Sequence, residues 1–103
     1  MIRRGFVDVA SGQVHYRESG RPHGRPLVLI HASPGSALML AAMIEAFGAT
    51  RHAIASDTMG NGDSSGAMDA QPTIPDFAGW HLEALDALGI ERFDLYGTHT
   101  GAA

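Results

Sequence analysis

The sequence predicts an α/β fold in which an antiparallel hairpin leads into a parallel sheet with crossover helices. Two short alternating runs around a glycine turn predict the hairpin. A continuous apolar run follows, which is typical of a strand buried on both faces of a sheet. Beyond it, two segments with helical character alternate with two further strand-like runs. This order favours crossover connections that bring the last three strands parallel to one another.

The hairpin and the first buried strand occupy the first thirty residues. Residues 6–9 and 13–17 alternate between polar and apolar side chains, and Ser11-Gly12 lies between them as the turn. Residues 20–26 hold two glycines and two prolines and are therefore predicted to form a loop. The next four residues, Leu27–Ile30, are all apolar, which predicts a strand covered from both sides.

The first helix is predicted from the residues at its two ends. Ser36 is a good N-cap, and Gly48 ends a helix that extends to about Phe47. Because the segment is apolar on nearly all sides, we expect the helix to be buried. Met39 and Met43 are expected to belong to its core contacts.

The second half of the chain adds a strand, a helix and a final strand. Residues 52–56 predict a weaker strand. Thr73 and Asp76 have the spacing of a capping box, and the helix they open is expected to end at Gly89. Residues 93–96 predict the last strand of the parallel set.

The composition excludes several classes of function. At 103 residues the chain is at most one small domain. The formal net charge is −4, and all seven cationic side chains are arginine. With no basic patch to neutralise phosphates, we expect no nucleic-acid partner. The absence of cysteine excludes disulfides and thiolate metal sites.

The sequence shows neither an export signal nor a membrane span. The two arginines near the N-terminus are followed by polar residues instead of the apolar region that a signal needs. No run approaches the roughly 18 apolar residues of a transmembrane helix. We therefore expect a soluble, cytoplasmic protein with no membrane partner. No metal is expected, because the scattered histidines lack ligand spacing: His15, His23, His52 and His81. No cofactor is implied either.

The candidate catalytic and binding residues lie in three loops. They are residues 31–36, 57–66 and 97–101, and each follows the carboxyl end of a predicted parallel strand. Ligand sites of open α/β sheets lie at that edge. In the middle loop, Asp57 and Asp63 are expected to brace the backbone by local hydrogen bonds.

The same loops carry a resemblance to a known family. Residues 31–36, His-Ala-Ser-Pro-Gly-Ser, are similar to an H-G-x-P-G loop, and residues 57–64 are similar to a D-x-x-G-x-G-x-S loop. Residues 97–101, Gly-Thr-His-Thr-Gly, have the form of a nucleophile elbow. Together, in this order, the three loops resemble the α/β-hydrolase superfamily. The resemblance covers nearly the whole chain but only the N-terminal part of the family domain, so residues 1–103 are expected to be a partial domain.

The resemblance implies an oxyanion hole at the sheet edge. Its donors would be the backbone amides of Ser33 and Thr100, aimed at the oxygen that becomes negative during acyl transfer. Pro34 would stiffen the first loop, Gly35 would permit its turn, and His31 would support it by bonding backbone carbonyls.

The elbow departs from the family at its central residue. His99 stands where a hydrolase of this family holds serine, and Gly97 and Gly101 leave room for the strained turn. Imidazole can act as a nucleophile or as a general base, and a helix N-terminus favours the neutral form that either role needs. The alternative is a degenerate elbow whose histidine fills the pocket or makes a hydrogen bond.

Two classes of function remain open on this basis. In the first, a longer parent protein hydrolyses a small ester, amide or epoxide-type substrate, with His99 in the nucleophile position. The acid and the base of a triad would come from later strands, so the 103-residue chain alone is expected to be inactive. In the second, the protein has lost the nucleophile and binds a small molecule without turning it over. Either reading implies a small-molecule partner.

Overall fold

Five strands and two α-helices make up the part of the chain that the structure describes. The computed structural model describes residues 1–10, 12–21, 24–32, 35–58, 61–65 and 73–97. The elements in chain order are β1 (Arg3–Val9), β2 (Gly12–Ser19), β3 (Leu27–Ile30), a 3₁₀ turn (Ala37–Leu40), α1 (Ala41–Gly48), β4 (Ala53–Ser56), α2 (Ile74–Ala87) and β5 (Asp94–Gly97).

The strands form one mixed sheet in the order β1-β2-β4-β3-β5. β2 runs antiparallel to both β1 and β4, whereas β3 runs parallel to both β4 and β5. The predicted hairpin leading into a parallel sheet is confirmed. As a result the carboxyl ends of β3, β4 and β5 meet at one edge of the sheet.

The two helices cover opposite faces of this sheet. Leu27 and Leu29 share a buried cluster with Ile44 of α1. Val28, which points to the other face, shares a cluster with Leu85 of α2. β3 is therefore buried from both sides, as its unbroken apolar run predicts.

The first helical segment differs from its prediction. Ser36 caps it as expected, because its side chain accepts a hydrogen bond from the amide of Leu38. Leu38 and Met39 are nevertheless 62% and 57% exposed, so the expectation that the whole helix and Met39 are buried is wrong. Only one face of a helix can lie on a sheet, and Ile44 belongs to that face. Met43 is half-buried against the same cluster.

The capping box of α2 is confirmed. The Thr73 hydroxyl accepts from the amide of Asp76, and the Asp76 carboxylate accepts from the amide of Thr73. The two contacts satisfy amides that a helix start otherwise leaves unpaired.

β5 begins one residue later than predicted and lies at the edge of the sheet. Leu95 is 60% exposed there, because β3 is the strand that pairs with β5 within the described part of the sheet. Among the helices that the structure describes, neither has the length and apolar character needed to cross a bilayer.

Candidate functional site

The three loops predicted to carry chemistry begin side by side. Ile30 at the end of β3 pairs with Gly97 at the end of β5 in parallel register. His31 and Ala32 therefore start beside the segment that follows Gly97. Of the predicted site residues, His31, Gly35 and Gly97 are described; the others lie outside the described residues, namely Ser33, Pro34, His99, Thr100 and Gly101.

His31 is buried and has a fixed tautomer. Its Nε2 accepts a 2.9 Å hydrogen bond from the backbone amide of Thr58. Because an amide can only donate, the ring proton must be on Nδ1, which donates to the carbonyl oxygen of Ala32 at 2.8 Å. The imidazole thus ties the end of β4 to the first peptide groups after β3.

Gly35 lies where another side chain would not fit. A Cβ built at this position would collide with the side chain of Met39 and lie 2.9 Å from the carbonyl oxygen of Ala32. The Gly35 amide points towards the side-chain oxygen of Asn61, 3.4 Å away. The first and second loops are therefore in direct contact.

The Asp57 carboxylate is the centre of the second loop. It is buried and accepts hydrogen bonds from the amides of Ala37 at 2.7 Å and Asp63 at 2.9 Å. It also lies 2.8 Å from Nδ1 of His15. Burial acts to raise the pKa of Asp57, but these three hydrogen bonds outweigh it and lower the pKa below its ordinary value of 3.8. Asp57 is therefore ionised at neutral pH, and the prediction that it braces the loop is confirmed.

His15 connects this carboxylate to Arg4. Arg4 Nε donates to His15 Nε2 at 2.9 Å, so the His15 proton lies on Nδ1 and points to Asp57. Arg4 Nη2 also bonds the Asp63 carboxylate at 2.7 Å. The Asp63 side chain therefore pairs with β1, so the expectation that it braces its own loop holds only for its backbone amide.

The same cluster has the spacing of a metal-binding group. One ligand atom each from His15, Asp57 and Asp63 lies within 4.8 Å of the others. However, a proton occupies the 2.8 Å gap between His15 and Asp57, and the Arg4 guanidinium supplies the positive charge next to Asp63. These contacts form an ion-pair network of Arg4, His15, Asp57 and Asp63, which attaches the second loop to the sheet.

Ser64 completes the attachment of the second loop. Its hydroxyl accepts from the His15 amide at 3.0 Å and donates to the Asp57 carbonyl oxygen at 2.7 Å. Next to it, the Ser65 amide donates to the carbonyl oxygen of Gln13 at 2.8 Å. These bonds extend the pairing of β2 beyond β4.

A buried histidine from α2 reaches the same edge. His81 Nδ1 lies 2.9 Å from the Ser56 hydroxyl, and its Nε2 lies 3.2 Å from the hydroxyl of Thr58. That hydroxyl is 2.9 Å from His31 Nε2. Burial, with a smaller contribution from nearby His31, lowers the pKa of His81 to about 4.

From the sequence, His81 was considered only as one of several histidines without metal-ligand spacing, although its position on α2 carries a further signal. His81 lies three and four residues before Ala84 and Leu85, the other buried residues of α2. That spacing places all three on one helical face. Periodicity could therefore have placed His81 inside the protein, but not next to His31.

Gly62 provides a test of how tightly the second loop closes on Asp57. Its φ of +52° lies in the left-handed region, and a Cβ at this position would collide with the Asp57 carboxylate. We expect Gly62→Ala to lower the free energy of unfolding by about 2 kcal/mol, from backbone strain plus displacement of that carboxylate. Urea denaturation measures this loss. Gly24→Ala is the matched control, because Gly24 also has a positive φ but an added Cβ meets open space. Equal losses for both variants would contradict close packing at Gly62.

Comparison with known proteins agrees with this geometry. Residues 25–102 match the family described as alpha/beta hydrolase fold. The chain is 30% identical over 96 residues to the uncharacterized carboxylesterase nap of Bacillus subtilis, covering 93% of this chain and 32% of that protein. It is 35% identical over 88 residues to the (E)-2-((N-methylformamido)methylene)succinate hydrolase of Acinetobacter baylyi, covering 85% of this chain and 32% of that protein.

A solved structure shows the same arrangement of elements. A mutant of the N-acyl homoserine lactonase AidH, complexed with N-hexanoyl homoserine, superposes with a TM-score of 0.88 at 27% identity. The superposition covers 98% of this chain and 38% of that one. The chain thus spans about a third of the length of the relatives it matches. With its sheet order and a sequence match over three quarters of its length, the chain belongs to the family of the alpha/beta hydrolase fold.

Proposed function

We propose that this chain is part of an enzyme that hydrolyses a small ester, amide or epoxide-type substrate at the carboxyl edge of the sheet. The observation that supports the proposal is the pairing of Ile30 with Gly97, which brings the carboxyl ends of β3 and β5 side by side. The segments predicted to supply the oxyanion donor and the nucleophile follow these two strand ends. His99 would occupy the nucleophile position, and the amides of Ser33 and Thr100 would donate to the oxyanion.

An imidazole at this position could hydrolyse an ester without a cofactor, through an acyl-imidazole intermediate. For an ester, the lone pair of neutral His99 attacks the carbonyl carbon, and the two backbone amides stabilise the oxyanion. Collapse breaks the bond to the alkoxide, which takes up the proton that the acylated ring loses, and leaves an alcohol and a neutral acyl-imidazole. Water then cleaves the acyl–nitrogen bond, releasing the acid and restoring the imidazole.

The relatives support a small-molecule substrate. Their names describe a carboxylesterase, a hydrolase of (E)-2-((N-methylformamido)methylene)succinate and an N-acyl homoserine lactonase. We propose a substrate of this general class, a cytoplasmic location, and neither a nucleic-acid nor a membrane partner. Residues beyond this chain would supply the acid and base of the site, so the 103 residues alone would not turn over a substrate.

The test uses p-nitrophenyl acetate and p-nitrophenyl butyrate with the longer parent protein that contains this chain, and with its His99 variants. We expect His99→Ala to abolish ester turnover, because it removes the nucleophile but leaves both oxyanion amides in place. His31→Gln is not a suitable control, because His31 bonds the Ala32 carbonyl oxygen in the first loop. His52→Gln is the matched variant, because His52 directly precedes β4 at the end away from the three loops, and it should retain the rate. Turnover that persists in His99→Ala would refute the assignment.

The absence of serine from the elbow favours one other candidate, a binding protein that has lost its nucleophile. Here the fold would bind a small molecule without hydrolysing it. His99→Ser separates the two candidates: a gain of ester turnover from an inactive wild type supports a degenerate site. Loss of an existing activity in the same variant supports a functional histidine.

A further inference from the structure

We infer that Met39 is a substrate-contacting residue, whose thioether binds an aliphatic chain of the ester substrate at the carboxyl edge of the sheet. This inference rests on the proposed function and adds to it the class of ester that the site prefers, one with a flexible aliphatic chain of several carbons. The exposure of Met39 and its contact with Gly35 in the first loop carry the inference.

Met39 lies at the same edge of the sheet as the three loops. The 3₁₀ turn that contains it, Ala37–Leu40, begins directly after the first loop. The amide of Ala37 donates to the Asp57 carboxylate at 2.7 Å, and Asp57 directly follows the end of β4. The turn is therefore held against the start of the second loop, where the carboxyl ends of the parallel strands meet.

The thioether of Met39 folds back over the first loop. A Cβ at Gly35 would collide with Met39 Sδ and lie 2.9 Å from the carbonyl oxygen of Ala32. The sulfur and this carbonyl oxygen therefore lie on the same side of the Gly35 backbone. Because Ala32 is the second residue after β3, the sulfur lies over the part of the first loop that leaves β3, the strand whose end pairs with Gly97.

Packing within the described part of the chain leaves much of Met39 uncovered. In the same turn Ala37 and Leu40 are buried, whereas Met39 is 57% exposed. Covering exposed apolar surface with an apolar ligand is favourable, because it removes that surface from water. Methionine also has a flexible, polarisable side chain that adapts to apolar partners of different shapes. Beside a candidate ester site, these properties favour an aliphatic chain as the occupant.

The neighbours of the thioether suit a neutral chain better than a charged group. Gly35 has no side chain and Ala32 has only a methyl group, so the loop beneath the sulfur leaves room above it. Asn61, whose side-chain oxygen lies 3.4 Å from the Gly35 amide, is uncharged. The Asp57 carboxylate is buried and bonded to backbone amides, so its charge does not face the surface.

The experiment compares Met39→Ala with Met39→Leu in the longer parent protein that contains this chain. Alanine removes the thioether, whereas leucine keeps an apolar side chain of similar volume. Rates are measured with p-nitrophenyl acetate, butyrate and hexanoate, which vary the acyl chain. They are also measured with methyl, butyl and hexyl acetate, which vary the alcohol. The two series show which part of the ester contacts Met39.

In the wild type we expect kcat/KM to rise with chain length in one of the two series. Each methylene that leaves water contributes about fourfold. Met39→Ala should therefore lower kcat/KM about tenfold for the longest ester of that series and less than about twofold for the shortest. Met39→Leu should keep the wild-type preference. Phe47→Ala is the matched control, because Phe47 is also exposed but lies near the far end of α1, and it should leave both series unchanged.

Three results would overturn the inference. Equal losses for short and long esters in Met39→Ala would indicate that Met39 packs against another segment of the parent protein. No loss for any ester would show that Met39 does not touch the substrate. A change of chain-length preference in Phe47→Ala as large as that in Met39→Ala would remove the special role of this position.

A binding measurement separates this inference from the proposed function. The methyl signal of Met39 is followed by ¹³C NMR in the parent protein carrying His99→Ala, and Met39→Leu assigns that signal. Methyl hexanoate or hexyl acetate should shift it, and methyl acetate at the same concentration should not. If the wild type hydrolyses no ester but a long ester shifts the signal, the proposed hydrolysis is refuted and the chain-binding role of Met39 is supported. If neither long ester shifts it, the inference is overturned.

Discussion

Replacing Asp57 with alanine is expected to lower the free energy of unfolding by about 3–5 kcal/mol. The substitution leaves the buried amide of Ala37 and the buried ring N–H of His15 without their acceptor, and it also frees the amide of Asp63. Each unpaired group carries a desolvation penalty of about 1–3 kcal/mol. Urea denaturation at pH 7 measures the loss.

Two further variants show which property of Asp57 is responsible. Asp57→Asn keeps the shape and one oxygen acceptor but places an amide NH₂ against a donor, so an intermediate loss of about 2 kcal/mol is expected. Asp86→Ala removes an exposed carboxylate of α2 and should change stability by less than about 0.5 kcal/mol. A loss below about 1 kcal/mol for Asp57→Ala would mean that its hydrogen bonds do not hold the second loop.

The elements of the fold were predictable where local signals agreed. Leu27–Ile30 is a strand within the predicted bounds, because four apolar residues between turn signals leave little alternative. The capping box of Thr73 and Asp76 is a contact between neighbours in sequence, and it formed as predicted. The predicted burial of Met39 was wrong, because an all-apolar segment does not reveal which of its faces contacts the sheet.

The contacts of the candidate site depend on partners that are far apart in sequence. Asp57 and His15 are separated by 42 residues and meet because β2 pairs antiparallel with β4. His81 and Thr58 meet because α2 packs across the end of β4. Residue type and spacing could place His31 and Asp57 at the functional edge, but no local pattern specifies which buried groups will pair there.

The stability of the protein is expected to fall by about 3 kcal/mol between pH 7 and pH 4 through His81 alone. Burial lowers the pKa of His81 from 6.5 to about 4 in the folded protein. Between these values the unfolded chain binds the proton and the folded protein does not, so acid favours unfolding. The contribution is complete above the unfolded pKa of 6.5 and is lost as the pH falls towards 4.

Removing the titrating ring should flatten this dependence. His81→Gln and His81→Leu both abolish protonation at this position, and urea denaturation at intervals from pH 7 to pH 4.5 should show a smaller slope for both. Because Gln can still bond the Thr58 hydroxyl, it should be the more stable of the two at pH 7. The pKa of Asp57 is lowered from 3.8 in the folded protein, so its contribution to the slope falls mainly below this pH range. A wild-type slope equal to that of both variants would show that folding does not lower the pKa of His81.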